Sequence, residues 1–158
     1  MSDVVFIDNS IEVKAALKKY EEKFLTEAAY VIESQVKQNT AVDTSNTKES
    51  WQNRVDISNY TAVVGNPLEN AVWEEFGTGD YAIEGGRKGS PWYVPVDGYA
   101  GKKKPTYKNK VVIVYGKDGM AYYKTNGKRP RRALFKAFKT KKSAIIRRAQ
   151  QLAKEELN

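Results

Sequence analysis

The sequence contains no cysteine and no histidine among its 158 residues. Without cysteine the chain has neither a disulfide nor a thiolate nucleophile, and without both residues it lacks the usual ligands of structural zinc. Catalysis by an imidazole is excluded as well. An enzyme on this chain would depend on Asp, Glu, Lys, Tyr, Ser or Thr, so these two absences argue against catalysis, a cofactor and a metal.

Long apolar runs and a signal peptide are also missing. No stretch approaches the roughly 18 apolar residues of a transmembrane helix. The first ten residues, MSDVVFIDNS, lack the basic segment and apolar segment of a secretory signal. With 41% hydrophobic and 29% charged residues, the composition is that of a globular protein. We therefore expect a single domain over residues 1–158, made inside the cell, with no membrane contact.

Charge is divided unevenly along the chain. Residues 1–100 carry 9 Lys/Arg against 16 Asp/Glu, a net charge of −7. Residues 101–158 carry 18 Lys/Arg against 3 Asp/Glu, a net charge of +15. A chain with one acidic and one basic portion can contact copies of itself head to tail. A basic portion can also approach nucleic acid, or simply be a solvated surface.

The order of patterns predicts an α+β fold. Apolar residues recur every three to four positions over 11–37 and again over 131–157, where the opposite face is basic; both patterns predict long helices. Asn9 or Ser10 is a candidate N-cap of the first helix, and Asn9 with Glu12 has the spacing of a capping box. Pro130 has the position of a first-turn proline of the second helix. Between the helices lie a polar loop at 38–50, strands within 51–64, a motif with a Gly-rich loop at 71–104, and a hairpin at 111–124. We expect a mainly antiparallel sheet of about four to five strands, packed by the long N-terminal helix and the long basic C-terminal helix.

Candidate catalytic groups do not form a recognisable set. The GTG at 77–79 lacks the sequence and the strand–loop–helix context of a phosphate-binding loop. Asp43, Glu74, Glu75 and Asp80 have no metal-site spacing, and adjacent residues such as Glu74 and Glu75 point in different directions. The Glu-x-Lys triplets at 12–14 and 21–23 lie on the first helix, not on a strand as in nucleases.

The segment AVWEEFGTGD, residues 71–80, combines apolar and acidic residues before a glycine break. Its pattern favours a short amphipathic helix, with a strand as the alternative. We expect Phe76 to lie in the core while Glu74 and Glu75 face outward. A second candidate surface is the basic set that begins the last helix, with solvation as the plain alternative to contact with DNA or an acidic partner: Lys128, Arg129, Arg131, Arg132, Lys136 and Lys139.

Three motifs together resemble one family, the head–tail joining or tail-completion proteins of long-tailed bacteriophages, also called minor tail components. The motifs are AVDTS at 41–45, NAVWEEFGTG at 70–79 and TNGKRPRRAL at 125–134. They are similar to the family's P-x-D-T-G-x-L, Y-A-x-x-x-E-F-G-T and T-x-G-x-x-P-x-P-F-L patterns in order and approximate spacing. The chain departs from these patterns at Ala41, Ser45, Asn70 and the Arg132–Ala133 pair, and the EFGT core is the specific part.

The resemblance implies a structural role without chemistry. The chain would assemble as a cyclic homo-oligomer, with six subunits expected, in the virion neck. That ring would join the DNA-filled head to the tail, contact neighbouring neck or tail proteins, and let the genome pass through its lumen. Assembly would take place in the host bacterial cytoplasm. Subunit or partner contacts would involve Trp73, Glu74, Glu75, Phe76, Gly77, Thr78, Asp43 and Thr44.

Two other functions compete with this one. The first is sequence-independent DNA binding by the basic C-terminal third, and the second, more distant, is a small hydrolase or nuclease without histidine. A strictly monomeric protein that binds duplex DNA tightly with a steep salt dependence would favour the first alternative. For the neck role, we expect Glu74→Lys with Glu75→Lys to leave the fold intact and block particle assembly.

Overall fold

The computed structural model describes residues 8–40, 45–85, 88–96, 112–117 and 119–157. Within these residues the chain forms α-helices, antiparallel strands and a short 3-10 helix, which confirms the α+β class. In chain order the elements are α1 (Ser10–Asn39), α2 (Ser45–Glu49), β1 (Gln52–Asp56), β2 (Thr61–Gly65), α3 (Glu69–Phe76), the 3-10 helix (Gly79–Tyr81), β3 (Trp92–Pro95), β4 (Val112–Tyr115), β5 (Ala121–Thr125) and α4 (Ala133–Leu157). None of the helices in the described ranges is long and apolar enough to cross a membrane.

These elements belong to two compact units. The first unit, residues 1–68 with 133–158, contains α1, α2, the β1–β2 hairpin and α4. The second unit, residues 69–132, contains α3, the 3-10 helix and a sheet of order β3-β5-β4. The described strands are therefore antiparallel, as expected, but they are divided between two sheets. The expectation of a single domain stays a prediction.

Side chains from distant parts of the sequence build the core of the first unit. Val36 of α1, Trp51 before β1, and Ala133 and Ala137 of α4 are buried together. The two alanines leave room for the Trp51 ring, whose Nε1 donates to Oγ1 of Thr40 at 2.9 Å. α1 thus packs on the β1–β2 hairpin, as expected for a helix buried against strands, and on α4 as well.

Ion pairs show that α1 and α4 run antiparallel. Lys19 and Lys23, near the start of α1, contact the Glu156 carboxylate near the end of α4, at 2.7 and 3.0 Å. At the other end, Nδ2 of Asn39 donates to the Ala133 carbonyl at 3.0 Å. The two lysines lower the pKa of Glu156, through hydrogen bonds from Lys19 first and Lys23 second.

Three features of the sequence-based assignment need correction. The loop expected at 38–50 contains α2 and the last residues of α1, because the buried Thr47 and its carbonyl contact with Nδ2 of Asn66 hold a short helix there. Asn9 is the N-cap of α1, but its side chain makes no cap hydrogen bond; Oδ1 of Asp8 accepts from the Ser10 amide instead. α4 begins at Ala133 instead of residue 131, so Pro130 is not its first-turn proline.

Candidate interaction site

The second and third sequence motifs lie against each other in the second unit. The Thr78 amide donates to the Lys128 carbonyl, and the Asp80 amide donates to the Asn126 carbonyl, each at 2.9 Å. The Lys128 amide returns a hydrogen bond to Oγ1 of Thr78 at 2.9 Å. We call this contact of residues 74–80 with residues 126–132 the motif joint. Because it uses mainly backbone groups, it holds two chain segments in register as a pair of strands would.

Glycines allow the two segments of the motif joint to approach so closely. A Cβ atom on Gly127 would lie 2.1 Å from the Thr78 carbonyl oxygen, and one on Gly79 would lie 2.1 Å from the Asn126 carbonyl oxygen. Both glycines also have positive φ, +115° and +61°, which side chains other than glycine rarely adopt. The glycines that break the motif in the sequence are thus required by a specific backbone contact.

Glu74 joins the C-terminal turn of α3 to the segment that precedes α4. Its carbonyl, one of the last in α3 and without a partner inside the helix, accepts from the Arg131 amide at 2.7 Å. The Arg132 amide reaches the same carbonyl at 3.3 Å, and Arg132 adopts φ +56°. Residues 131 and 132 are therefore held outside helical geometry, which explains why α4 begins at Ala133.

The Glu74 side chain also pairs within its own chain. Its Oε1 contacts Nζ of Lys128, and its Oε2 lies 3.3 Å from Nε of Arg131. The Glu74 side chain is 24% exposed, so it does not face outward as predicted. Two members of the predicted basic surface, Lys128 and Arg131, are thus balanced by an acid from the predicted acidic surface.

The apolar side chains of α3 are exposed, whereas the sequence predicted that Phe76 lies in the core. Val72, Trp73 and Phe76 are about half exposed, and Phe76, expected in the core, has 53% of its surface accessible. Ala71 is the residue of α3 that is buried. Since position 76 lies four residues after 72 and three residues after 73, the three side chains occupy one face of the helix. We call these three side chains the α3 ridge.

The other predicted site residues are distributed over both units. The Arg129 guanidinium stacks 4.7 Å from the centre of the Tyr81 ring. Lys136 and Lys139 are exposed on the first turns of α4, which belongs to the first unit. Asp43 and Thr44, with the rest of the AVDTS motif up to residue 44, lie outside the described residues. The role of these residues in partner contacts stays a prediction.

The first unit contains a groove that the sequence did not indicate. It lies between α1 and α4, has a volume of about 190 Å³, and is lined by apolar atoms of Phe24, Ala28, Val31, Ala144 and Ile145. We call it the helix groove. On α1 its apolar lining positions, 24, 28 and 31, are spaced four and three residues apart, but the sequence pattern alone does not show that space remains between the two helices.

A bidentate ion pair borders the helix groove. Nε and Nη2 of Arg148 donate to the Glu27 carboxylate at 2.6 and 3.0 Å, and Nη1 of Arg148 contacts Glu155 at 3.1 Å. The hydrogen bond from Arg148 lowers the pKa of Glu27, and Glu27 in turn raises the pKa of Arg148. This fork geometry fixes the Arg148 side chain along the rim.

No group of three or more acidic side chains that could hold a metal occurs among the described residues. In the motif joint Glu74 lies beside two bases, Lys128 and Arg131, and the backbones of the two segments are in close contact at Gly79 and Gly127.

Comparison with protein families matches residues 6–77 to the HK97-gp10-like family, described as "Bacteriophage HK97-gp10, putative tail-component". The match covers slightly less than half of the chain and runs from before α1 to Gly77 of the EFGT motif. It confirms the resemblance to phage tail-component proteins that the motifs indicated. Comparison with curated proteins gave no match, and comparison with solved structures gave none either.

Proposed function

We propose that this chain is a structural subunit of the virion neck, in a ring that joins the DNA-filled head to the tail. The match of residues 6–77 to a phage tail-component family carries the proposal. The family description supports a role as a phage tail component, and the absence of catalysis is part of the proposal. The ring, its position at the neck and the passage of DNA go beyond the family description and are proposed in addition.

Charge supports assembly from identical copies. The acidic part of the chain, at −7, and the basic part, at +15, give each copy segments of opposite net charge that can contact each other between copies. A contact between unlike surfaces is heterologous, and such contacts close into a ring when the rotation between neighbours divides a full turn. An exposed helix face such as the α3 ridge adds apolar surface that a subunit of an assembly covers.

The direct test is complementation of the phage or prophage that encodes the chain, after its gene has been deleted. We expect electron microscopy of the deletion to show filled heads and tails that are not joined, and the wild-type gene supplied in trans to restore joined particles. A normal yield of joined particles without the chain would overturn the neck role.

A charge-reversal test at α3 must distinguish a lost contact with a partner from damage to the motif joint. Because Glu74 binds Lys128 and Arg131 in its own chain, Glu74→Lys would disturb the joint itself. Glu75→Lys keeps the contacts of Glu74 and is the probe of the partner surface. Glu75→Gln is its matched control, because it loses the charge without reversing it, and thermal unfolding of both variants reports any loss of contacts that Glu75 makes within its own chain. We expect Glu75→Lys to lower joined particles about tenfold or more, because the reversed charge recurs at every contact of a ring. Equal yields from both variants would contradict a partner role for this position.

DNA binding by the basic third is the competing function. It is favoured by the exposed lysines of α4, including Lys136 and Lys139, and disfavoured by the pairing of Lys128 and Arg131 with Glu74. Binding of short duplex DNA would be measured between about 50 and 200 mM salt. A loss of affinity of about a thousandfold across that range, by a chain that is absent from particles, would favour this alternative.

A further inference from the structure

We infer that the α3 ridge of one copy packs into the helix groove of the next copy. This inference rests on the proposed ring and names the two surfaces that form its repeated contact. The ridge belongs to residues 69–132 and the groove to the other unit, so they are different surfaces. A contact between two different surfaces can repeat from copy to copy in one direction, which is the heterologous contact that a ring requires.

The size of the helix groove fits an aromatic side chain. An apolar cavity of about 150 Å³ is large enough to bind benzene. The helix groove, at about 190 Å³, therefore has room for one aromatic ring and part of a neighbouring side chain. Phe24, Val31 and Ile145 give it an apolar lining, so the occupant that it favours is apolar as well.

The α3 ridge supplies such side chains in a suitable arrangement. Trp73 and Phe76 are 48% and 53% exposed and lie on one helix face with Val72. α3 has 8 residues and is about 12 Å long. The groove extends along α1 from Phe24 to Val31, about 10 Å, so a short helix can lie along it. Aromatic anchors in apolar pockets are a common source of binding energy at interfaces.

Charge on the two helices favours the same pairing. α3 carries three glutamates and no basic residue, whereas α4 carries seven Lys/Arg against two glutamates. Lys141 lies one turn before Ala144 on α4 and is thus placed beside the groove. Glu69 is exposed at the start of α3 and is free to meet a basic neighbour, while Glu74 is held by Lys128 and Arg131. The α4 side of the groove is therefore complementary to α3 in charge as well as in apolar character, while Glu27 and Arg148 in the groove lining are paired with each other.

Engineered disulfides test this contact, because the chain has no cysteine of its own. Two differently tagged full-length variants, Val72→Cys and Ala144→Cys, are supplied together to the gene deletion, and the purified particles are oxidised. Both substitutions leave Trp73 and Phe76 intact. The control pair is Val72→Cys with Ser143→Cys, since Ser143 is exposed on α4 and does not line the groove.

We expect the disulfide between the two tags to be about tenfold more abundant for Ala144→Cys than for Ser143→Cys, because a disulfide needs Cα atoms within about 7 Å. Particles that contain the chain but give equal yields from both pairs would overturn the ridge-in-groove contact and leave the neck role standing. Particles that lack the chain would overturn the neck role and this inference with it.

A filling substitution gives a second measurement. Ala144→Trp places a ring in the groove, and Ser143→Trp places the same ring beside it. We expect Ala144→Trp to lower joined particles at least about tenfold while Ser143→Trp stays near wild type, with unchanged thermal unfolding for both. Wild-type assembly by Ala144→Trp would contradict the inference.

Discussion

The α1–α4 pair and the motif joint both bring together segments that are far apart in sequence, but they use different groups. The helix pair is held by buried side chains such as Val36, Ala137 and Leu152, with ion pairs at its surface. The motif joint is held by backbone hydrogen bonds of Thr78, Asp80 and Lys128, and its closeness depends on glycine. The stability of the helix pair should therefore fall when buried side-chain atoms are removed. The stability of the motif joint should fall when atoms are added at its glycines.

The largest expected effect is Leu152→Ala in the helix pair. Leu152 is fully buried, so its truncation should destabilise the protein by about 2–5 kcal/mol, as lost burial and a cavity add together. Urea unfolding measures this loss, and amide exchange of α1 and α4 locates it. The neighbouring Gln151→Ala is the control, because an exposed side chain contributes less than about 0.5 kcal/mol. Similar losses from both variants would show that burial does not hold the pair.

Gly127→Ala tests the opposite sensitivity in the motif joint. The added methyl group would overlap the Thr78 carbonyl oxygen, so we expect a loss of about 3 kcal/mol and faster amide exchange in β5. Gly119→Ala is the control that separates the cost of the backbone conformation from the cost of the clash. Gly119 also has a positive φ, +75°, but a Cβ atom there would lie within 4 Å of no heavy atom in the part of the chain that the structure describes, its chain neighbours aside. It should lose only about 1 kcal/mol. Equal losses of stability from Gly127→Ala and Gly119→Ala would mean that the close approach of the two segments does not contribute to stability.

Thr78 and Asn126 sharpen the distinction between backbone and side-chain groups. Thr78→Val removes the hydroxyl that accepts from the Lys128 amide, and should lose about 1 kcal/mol, whereas Thr78→Ser keeps it. Asn126→Ala should change stability by less than about 0.5 kcal/mol, because its carbonyl, which the substitution retains, accepts from Asp80. Thermal unfolding ranks the three variants, and a larger loss for Asn126→Ala than for Thr78→Val would refute a joint held by the backbone.

The smallest effect concerns the pH dependence of the helix pair. Arg148 lowers the pKa of Glu27 below its ordinary value of 4.5. The stabilisation from this pair is therefore fully present above about pH 4.5 and is lost as the pH falls through the lower pKa of the folded protein. Glu27→Gln should lose less stability than wild type between pH 6 and pH 3, a difference of about 2 °C in melting temperature. Parallel curves for both proteins would assign the acid sensitivity to other groups.

The sequence predicted those parts of the fold that depend on side-chain periodicity. The helix expected at 11–37 is Ser10–Asn39, and the hairpin expected at 111–124 includes β4 and β5. Periodicity identifies a strand but not its partner, so the division into two sheets was not predicted. The five-residue α2 was missed because its buried Thr47 and its contact with Asn66 depend on tertiary structure.

The candidate site was predicted as separate motifs, not as one contact. EFGT and the segment 125–134 were both singled out, yet their pairing uses the carbonyls of Asn126 and Lys128, which any residue provides. Gly77, Gly79 and Gly127 were the available signal, because glycine often marks a close backbone approach. The exposure of Phe76 was predicted wrongly because an aromatic residue is usually assigned to the core, although it also serves at interfaces.

The most direct test of the central claim is the position and copy number of this chain in purified phage particles. Electron cryomicroscopy, with quantitative mass spectrometry of the same particles, measures both. The neck role predicts several copies per particle in a closed ring at the junction of head and tail. Particles without the chain, or with the chain distributed along the tail or within the head, would contradict it.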